Sequence, residues 1–201
     1  RRQRQMCIRD SPATDKKLEG IRMASGSLGQ GLSVAIGTAQ TKKLNKDQSI
    51  VYTLHGDGEL QEGQIWEAAM YAAANKVDNL IATIDFNGRQ IDGDVDDVLS
   101  LGSLSEKWQA FGWDVLEMDG HNFENIHSTM TAAKNKMGHG KPVVVIMKTE
   151  MGMGVDFMMG THKWHGVAPN DEQLSDALGQ LKETLGAVSY THLTLPTRLS
   201  V

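Results

Sequence analysis

A parallel β-sheet covered by helices on both faces, an α/β fold, is the architecture this sequence predicts, and three observations predict it. Short continuous apolar runs recur at 49–55 (SIVYTLH), 79–86 (NLIATIDF) and 142–149 (PVVVIMKT). Runs of this kind suit strands buried on both sides rather than strands with one wet face. Segments with helical spacing separate them, long enough for the crossovers that parallel strands require.

The elements follow in order. Residues 28–44 (LGQGLSVAIGTAQTKKL) carry small apolar residues at helical spacing and end on Lys42 and Lys43, cations that complement the C-terminal end of a helix dipole. The run 49–55 is a buried strand leaving through the turn Gly56-Asp57-Gly58. Residues 59–76 read as one helix with Ile65, Ala68, Ala69 and Ala72 on a single face. The second strand is 79–86, and a long Gly- and Asp-rich loop fills 87–102. A short helix over 104–111, a strand over 113–119 and a helix over 123–137 come next. Residues 142–149 form the most continuous strand, and a Gly- and Met-rich loop occupies 150–168. Asn170 caps a last helix, 171–185, with Gln173 at the capping-box position.

The whole chain has 201 residues, 22% of them charged, and a net charge of −5. No apolar run approaches the roughly 18–20 residues of a membrane-spanning helix, so no membrane association is expected. The acidic balance argues against a general nucleic-acid binder, which presents a basic face. A single cysteine, Cys7, excludes an intrachain disulfide framework.

The two ends differ from the text between them. Residues 1–11 (RRQRQMCIRDS) and 188–197 (VSYTHLTLPT) lack helix or strand periodicity. One oligonucleotide that encodes the first segment encodes the second on its opposite strand, and it matches an adapter of transposase-based sequencing libraries. Residues 1–11 and 188–201 are therefore assigned as adapter-derived and disordered, and are set apart from the fold as tags are. The domain expected between them is 12–187. Removing five arginines and Asp10 with the ends takes the net charge from −5 to about −9, and the only cysteine goes with them. No native start or stop is visible, so an N-terminally truncated piece of a longer chain is expected.

In a parallel sheet, ligands sit beyond the carboxyl ends of the strands. The first strand leaves through Gly56-Asp57-Gly58, the second through Asn87-Gly88-Arg89, and the strand 142–149 through Glu150-Met151-Gly152-Met153-Gly154. The first helix has a glycine-rich lead-in, Gly26-Ser27-Leu28-Gly29-Gln30-Gly31. Glycines let backbone approach a ligand closely, and a helix N-terminus offers N–H groups to an anion. Asp57 supplies a hard carboxylate, Asn87 an amide oxygen and Arg89 a backbone carbonyl, a set suited to magnesium completed by phosphate and water. Singly, Asp57 and Asn87 are ordinary turn residues. The pattern lies in the spacing: Gly-Asp-Gly, then residues 59–86, then Asn87.

This spacing resembles the thiamine-diphosphate signature, with one of the two asparagines often found there replaced by Phe86. GSLGQGLSVAIG, GDGELQEGQIWEAAM, NGRQIDG, KWQAFGWDVLEMDGH and WHG together resemble the N-terminal half of transketolases. APNDEQLSDAL is most similar to bacterial and archaeal transketolases that are split into two polypeptides. The resemblance implies a thiamine-diphosphate-binding fold of the pyrophosphate (PP) type. It implies a metal held by Asp57, Asn87 and the Arg89 carbonyl, either Mg2+ or another divalent cation such as Ca2+ or Mn2+. Gly56, Gly58 and Glu59 would lie at the diphosphate, and Gly26 and Leu28 at the cofactor ring. Glu62 would join a glutamate network linking paired active sites, and His165 would reach the diphosphate and the reacting sugar. The implied activity is transfer of a two-carbon ketol unit between cytoplasmic sugar phosphates. The implied partner is a C-terminal subunit or domain carrying the pyrimidine-binding site, in a dimer or heterotetramer. Because the glutamate that activates the aminopyrimidine lies on that partner, and the family's upstream histidines are missing, the chain alone is expected to be inactive.

Other readings of the same residues stand beside this one. Glu62 reads equally as an exposed helix charge, and His162 matches His165 in chemistry, with only the His-Gly pairing selecting His165. His55 reads as a buried histidine near the diphosphate or as a core residue. Met151, Met153, Met158 and Met159 suggest adaptable packing. Rival functions are a deoxyxylulose-phosphate synthase, a 2-oxo acid dehydrogenase component, a partner-only subunit, and a non-catalytic Rossmann-like nucleotide-binding module. The last needs G-x-G-x-x-G, but its third glycine falls on Gln61, and the acid nearest the ribose position is Asp85, before Phe86.

Overall fold

The computed structural model describes residues 21–185. The segments 1–11 and 188–201, and the domain limits Pro12 and Ala187, lie outside them. The described residues divide into two compact units between Thr149 and Glu150.

The first unit is built on four parallel strands, β1 (Val51–Gly56), β2 (Leu80–Phe86), β5 (Asp114–Asp119) and β6 (Val143–Lys148), ordered β1-β2-β6-β5. Their alternation sorts the core into two layers. Leu80, Ala82 and Ile84 of β2 and Val144 and Ile146 of β6 join helices α1 (Gln30–Leu44) and α2 (Gly63–Ala74) on one face. Ile81, Val143 and Val145 point the other way, onto Ile126, Met130 and Ala133 of α5 (Phe123–Asn135). The expected α/β architecture with both faces of the sheet covered is therefore present.

On the first face, α2 buries Ile65, Ala68, Ala69 and Ala72, the four positions read from the sequence. Small residues there let α1 and the sheet approach closely, and the wider space beyond is filled by aromatics. Trp66, Trp108 and Trp113 form a ladder with ring centroids 5.1 and 4.8 Å apart, Trp108 coming from α4 (Leu104–Ala110). The Trp113 Nε1–H donates to the Ala69 carbonyl at 3.0 Å, so its one polar atom is satisfied inside the core.

Two expectations need correction. The helix expected over 59–76 is broken: a 3-10 turn, Gly58–Gln61, precedes α2, and Glu62 between them is extended (φ −72°, ψ 123°). Gly63 then starts the helix proper. The loop expected over 87–102 is partly ordered. It contains a minimal antiparallel hairpin, β3 (Arg89–Gln90) with β4 (Gly93–Asp94), and a short helix, α3 (Val95–Leu99). The Gly88 carbonyl accepts from the Val95 N–H at 3.0 Å, which closes this excursion at its base.

The second unit holds the loop from Glu150 and helix α6 (Asp171–Leu185). The expected capping box is formed. The Gln173 N–H donates to Asn170 Oδ1 at 2.8 Å, and the Asn170 N–H to Gln173 Oε1 at 2.9 Å. In the loop, Trp164 lies against Phe157 with ring centroids 5.3 Å apart, and its Nε1–H donates to the Phe157 carbonyl. The backbone and Cβ of Met158 lie close against Gly152, where an added Cβ would find no room.

Candidate cofactor and metal site

β1 and β2 pair in parallel with Gly56 opposite Asp85, so the turns leaving their carboxyl ends meet. Asp57 is the first residue beyond β1 and is 2% exposed. Its Oδ1 accepts from the Gly58 N–H at 2.7 Å, and its Oδ2 from the Gly88 N–H at 2.6 Å. The second bond joins the two strand turns directly. Burial pushes the Asp57 carboxyl above its usual range, the two N–H groups pull it back, and the charge of Asp85 adds to the upward push. Burial and Asp85 thus disfavour the ionised form of Asp57 by more than the N–H groups favour it.

Asn87 stands one residue beyond β2. Its Oδ1 accepts from the Arg89 N–H at 2.8 Å, and its Nδ2 faces Asp85 Oδ2 at 3.4 Å. That contact assigns the amide nitrogen to Asp85 and leaves Oδ1 as the oxygen for a cation. Asp85 also accepts from the hydroxyl of Thr149, the first residue beyond β6. Three neighbouring strand ends are thus tied together by side chains. The Arg89 guanidinium pairs with Asp94 across the hairpin, so only its carbonyl can serve as the expected ligand.

Space beside Gly58 is tight: an added Cβ would sit 3.0 Å from Gln90 Cβ, so Gln90 would have to give way. Gln90 is held in turn by the Gln61 amide at 2.8 Å. Glycine here lets the small hairpin close over the β1 turn.

The lead-in of α1 reaches the same place. Gly29 is the N-cap, in the left-handed region (φ 81°), and α1 has no side-chain cap and no acid in its first turn. The next N–H groups of the helix are therefore available to an anion. The Gly29 N–H donates to Glu59 Oε1 at 2.9 Å, and the Gly56 N–H to Glu59 Oε2 at 3.1 Å. Burial works to raise the Glu59 carboxyl, but His55 and the Gly29 N–H outweigh it and hold it below its usual range. Gly26 and Leu28 precede this contact, and Leu28 is 54% exposed. Glu62 is exposed, and its Cβ would lie 3.0 Å from a Cβ added at Gly29, so it flanks the same lead-in.

The structure thus brings Asp57, Asn87, Arg89, Gly56, Gly58, Glu59, Glu62 and the lead-in of α1 to one end of the sheet. His165 belongs to the second unit, where it is exposed and its N–H donates to the His162 carbonyl at 2.9 Å.

No cluster of three or more His, Cys, Asp or Glu residues able to hold a metal occurs among the described residues. A cation at this site would instead be held by one carboxylate, one amide and a carbonyl, with the rest of its shell from phosphate and water. The residues fit that role: Asp57 is a buried carboxyl group whose ionised form a cation would favour, and Asn87 presents an oriented oxygen.

Sequence reasoning does not find Asp85 and Thr149 as parts of the site. By pattern alone Asp85 is a poorly placed ribose ligand, and Thr149 is the end of a strand. Their meeting depends on β2 lying beside β6, which no local pattern announces.

The chain matches the family profile described as transketolase, thiamine diphosphate binding domain, over residues 5–200. It is 43% identical over 171 residues to one subunit of the apulose-4-phosphate transketolase of Phocaeicola vulgatus, covering 84% of this chain and 59% of that protein. It is 40% identical over 168 residues to the 6-deoxy-6-sulfo-D-fructose transketolase subunit SqwG of Clostridium sp., covering 84% of this chain and 60% of that protein. It therefore spans about 60% of the length of these curated relatives. Among solved structures, a transketolase from Campylobacter jejuni superposes with a TM-score of 0.71 at 34% identity, covering 81% of this chain and 26% of the other.

Proposed function

The chain belongs to the transketolase family, in its thiamine diphosphate-binding domain, and from that premise we propose that it forms the diphosphate- and metal-binding part of an enzyme moving a two-carbon ketol unit from a ketose to an aldose. The observation that carries the proposal is the buried Asp57 carboxylate, tied to Gly88 and set beside the oriented amide of Asn87. Asp57, Asn87 and the Arg89 carbonyl would hold Mg2+. The N–H groups at the start of α1, with the Gly56 and Gly58 turn, would receive the diphosphate, and Gly26 and Leu28 would lie at the cofactor ring. When bound, thiamine diphosphate supplies the nucleophilic carbon that takes up the ketol unit. The residues of this chain would fix the cofactor's anionic end through backbone N–H groups and through the cation they hold, whose charge offsets the diphosphate, and so keep the reactive ring in one place. Glu62 would contribute to the link between paired sites. His165 would act on sugar oxygens by donating or accepting a proton, a task suited to imidazole near neutral pH.

The partner in this reading is a C-terminal subunit or domain carrying the pyrimidine-binding site. Several relatives are named as single subunits of a transketolase, which supports a split arrangement. Sugar phosphates are the proposed substrate class, and the name of the Clostridium relative makes sulfonated sugars the variant to try beside them.

Calorimetry on the complete enzyme tests the proposal. Thiamine diphosphate should bind only with Mg2+ present, and Asp57→Ala should remove that binding. Binding of NAD without metal would overturn the reading in favour of a nucleotide-binding module. The 201-residue chain alone should show no ketol transfer, and detecting transfer with it would refute that part.

A further inference from the structure

The first turn of α1 has an unusual cap. In a capping box, a Glu or Gln at the third helical position reaches back to the N-cap N–H. In α1 that position is Leu32, fully buried in the core. The N-cap N–H of Gly29 is bound instead by Glu59, thirty residues further along the chain. The other oxygen of the same carboxylate holds the Gly56 N–H. One side chain therefore bridges the two glycine-rich turns that the proposed function places around the diphosphate.

Behind Glu59 stands His55, 2% exposed. Its Nδ1 lies 3.3 Å from Glu59 Oε1, outside hydrogen-bond alignment, and has no other partner among the described residues. Its Nε2 is 2.9 Å from the Thr53 hydroxyl oxygen. Its ring edge also packs beneath α1: a Cβ added at Gly31 would lie 3.6 Å from His55 Cε1. The imidazole is thus wedged between strand β1, the first turn of α1 and the Glu59 carboxylate. A residue needed only for core packing would have no reason to keep two ring nitrogens here, since burying them is costly.

We propose that His55 and Glu59 are positioning residues that lock the glycine-rich lead-in of α1 to the β1 turn, so that the diphosphate seat is assembled before the cofactor arrives. This rests on the function proposed above. Glu59 supplies the bridge, and His55 holds its carboxylate against Gly29 and Gly56 and away from the anion's place. Ordering two loops in advance removes that cost from the binding step. In this role Glu59 faces the loops rather than the diphosphate.

The test uses the complete enzyme with Glu59→Gln, His55→Phe and His55→Gln. Amide hydrogen exchange across residues 26–32 is followed without cofactor, and calorimetry with Mg2+ gives the Kd for thiamine diphosphate. Glu59→Gln and His55→Phe should speed exchange in that segment and weaken cofactor binding about tenfold, the scale of one charge-assisted hydrogen bond. His55→Gln keeps a polar group facing Glu59 and should recover most of both effects, and the His55→Phe defect should fall on Kd rather than on kcat. Unchanged exchange and Kd in Glu59→Gln and His55→Phe would overturn the proposal. So would tighter binding by Glu59→Gln, which would mean that the carboxylate competes with the diphosphate. If His55→Phe does not fold, Glu59→Gln alone decides. If the unmutated enzyme takes up no cofactor, the proposed function fails, and the exchange measurement still decides whether the two residues lock the lead-in.

Discussion

Replacing Thr149 with Val separates the site's side-chain ties from its packing. Val has the same shape as Thr, so contacts such as that of the Thr149 methyl near Gly120 are kept, and only the hydroxyl bound to Asp85 is lost. A hydrogen bond to a charged acceptor contributes about 1.5–3 kcal/mol, and because Asp85 is half-buried the lower value, about 1.5 kcal/mol, is expected for stability. In the proposed function the larger consequence would fall on the metal. Asp85 without its tether no longer fixes the Asn87 amide, and losing a group that orients a ligand typically costs about 10–100-fold in metal affinity. Mg2+ titration of the complete enzyme at saturating thiamine diphosphate measures the second effect, and urea unfolding the first. Thr149→Ser provides the contrast: it keeps the hydroxyl and removes a methyl, costing about 1 kcal/mol of stability while leaving Mg2+ affinity near the starting value. If Thr149→Val binds Mg2+ within about twofold of the starting enzyme, or if Thr149→Ser loses as much affinity as Thr149→Val, the tie through Asp85 is not what orients Asn87.

Two further outcomes follow from neighbouring features. An alanine at Gly120 would place its Cβ 2.5 Å from Thr149 Cγ2, 2.7 Å from Met147 Cγ and 3.0 Å from the Lys148 carbonyl. Because a stiff β-branched side chain and backbone must yield, Gly120→Ala should cost at least about 1–3 kcal/mol, and an unchanged thermal midpoint would contradict this packing. Asp78 accepts from the Lys43 ammonium at 2.6 Å and from the Gly140 N–H at 2.9 Å. Burial opposes ionisation there, but these partners outweigh it and hold the Asp78 carboxyl below its usual range. A lowered folded-state pKa gives stability that is present above the unfolded value of about 3.9 and lost as pH falls through the folded value. Asp78→Asn should therefore cost about 1 kcal/mol at pH 7, with the difference from the parent vanishing in strong acid. A difference that persists there would point to lost packing instead.

The positions that sequence reasoning locates well are those where one local period carries the information. The buried face of α2, the apolar runs that form β2 and β6, and the Asn170–Gln173 box are all of this kind. Asp57 and Asn87 are legible because each directly follows a strand, and the parallel pairing of β1 with β2 does the rest. The break at Glu62 is not legible, because Glu59 to Gln61 have ordinary helical character and the contacts that Glu59 makes beside the break, with Gly29 and Gly56, leave no local pattern. The hairpin 89–94 escapes because two-residue strands are too short to show alternation. Asp85 and Thr149 escape for a different reason: they are 64 residues apart and meet only through the order of strands in the sheet.

The pairing of β1 with β2 also acts as a ruler. Asp57 and the Asn87–Gly88 turn lie just past the last paired residues, Gly56 and Asp85. A slip of one residue would move one turn along the other by about 3.3 Å and reverse which face each side chain occupies. If these turns hold Mg2+ as proposed, no rotamer change recovers such a displacement, because its ligands must all lie within about 2.1 Å. Collapsed forms of the chain with helices in place but strands misaligned would thus have no binding capacity at all. Uptake of metal and diphosphate would then report, in a refolding experiment, the moment at which the strands reach their final alignment.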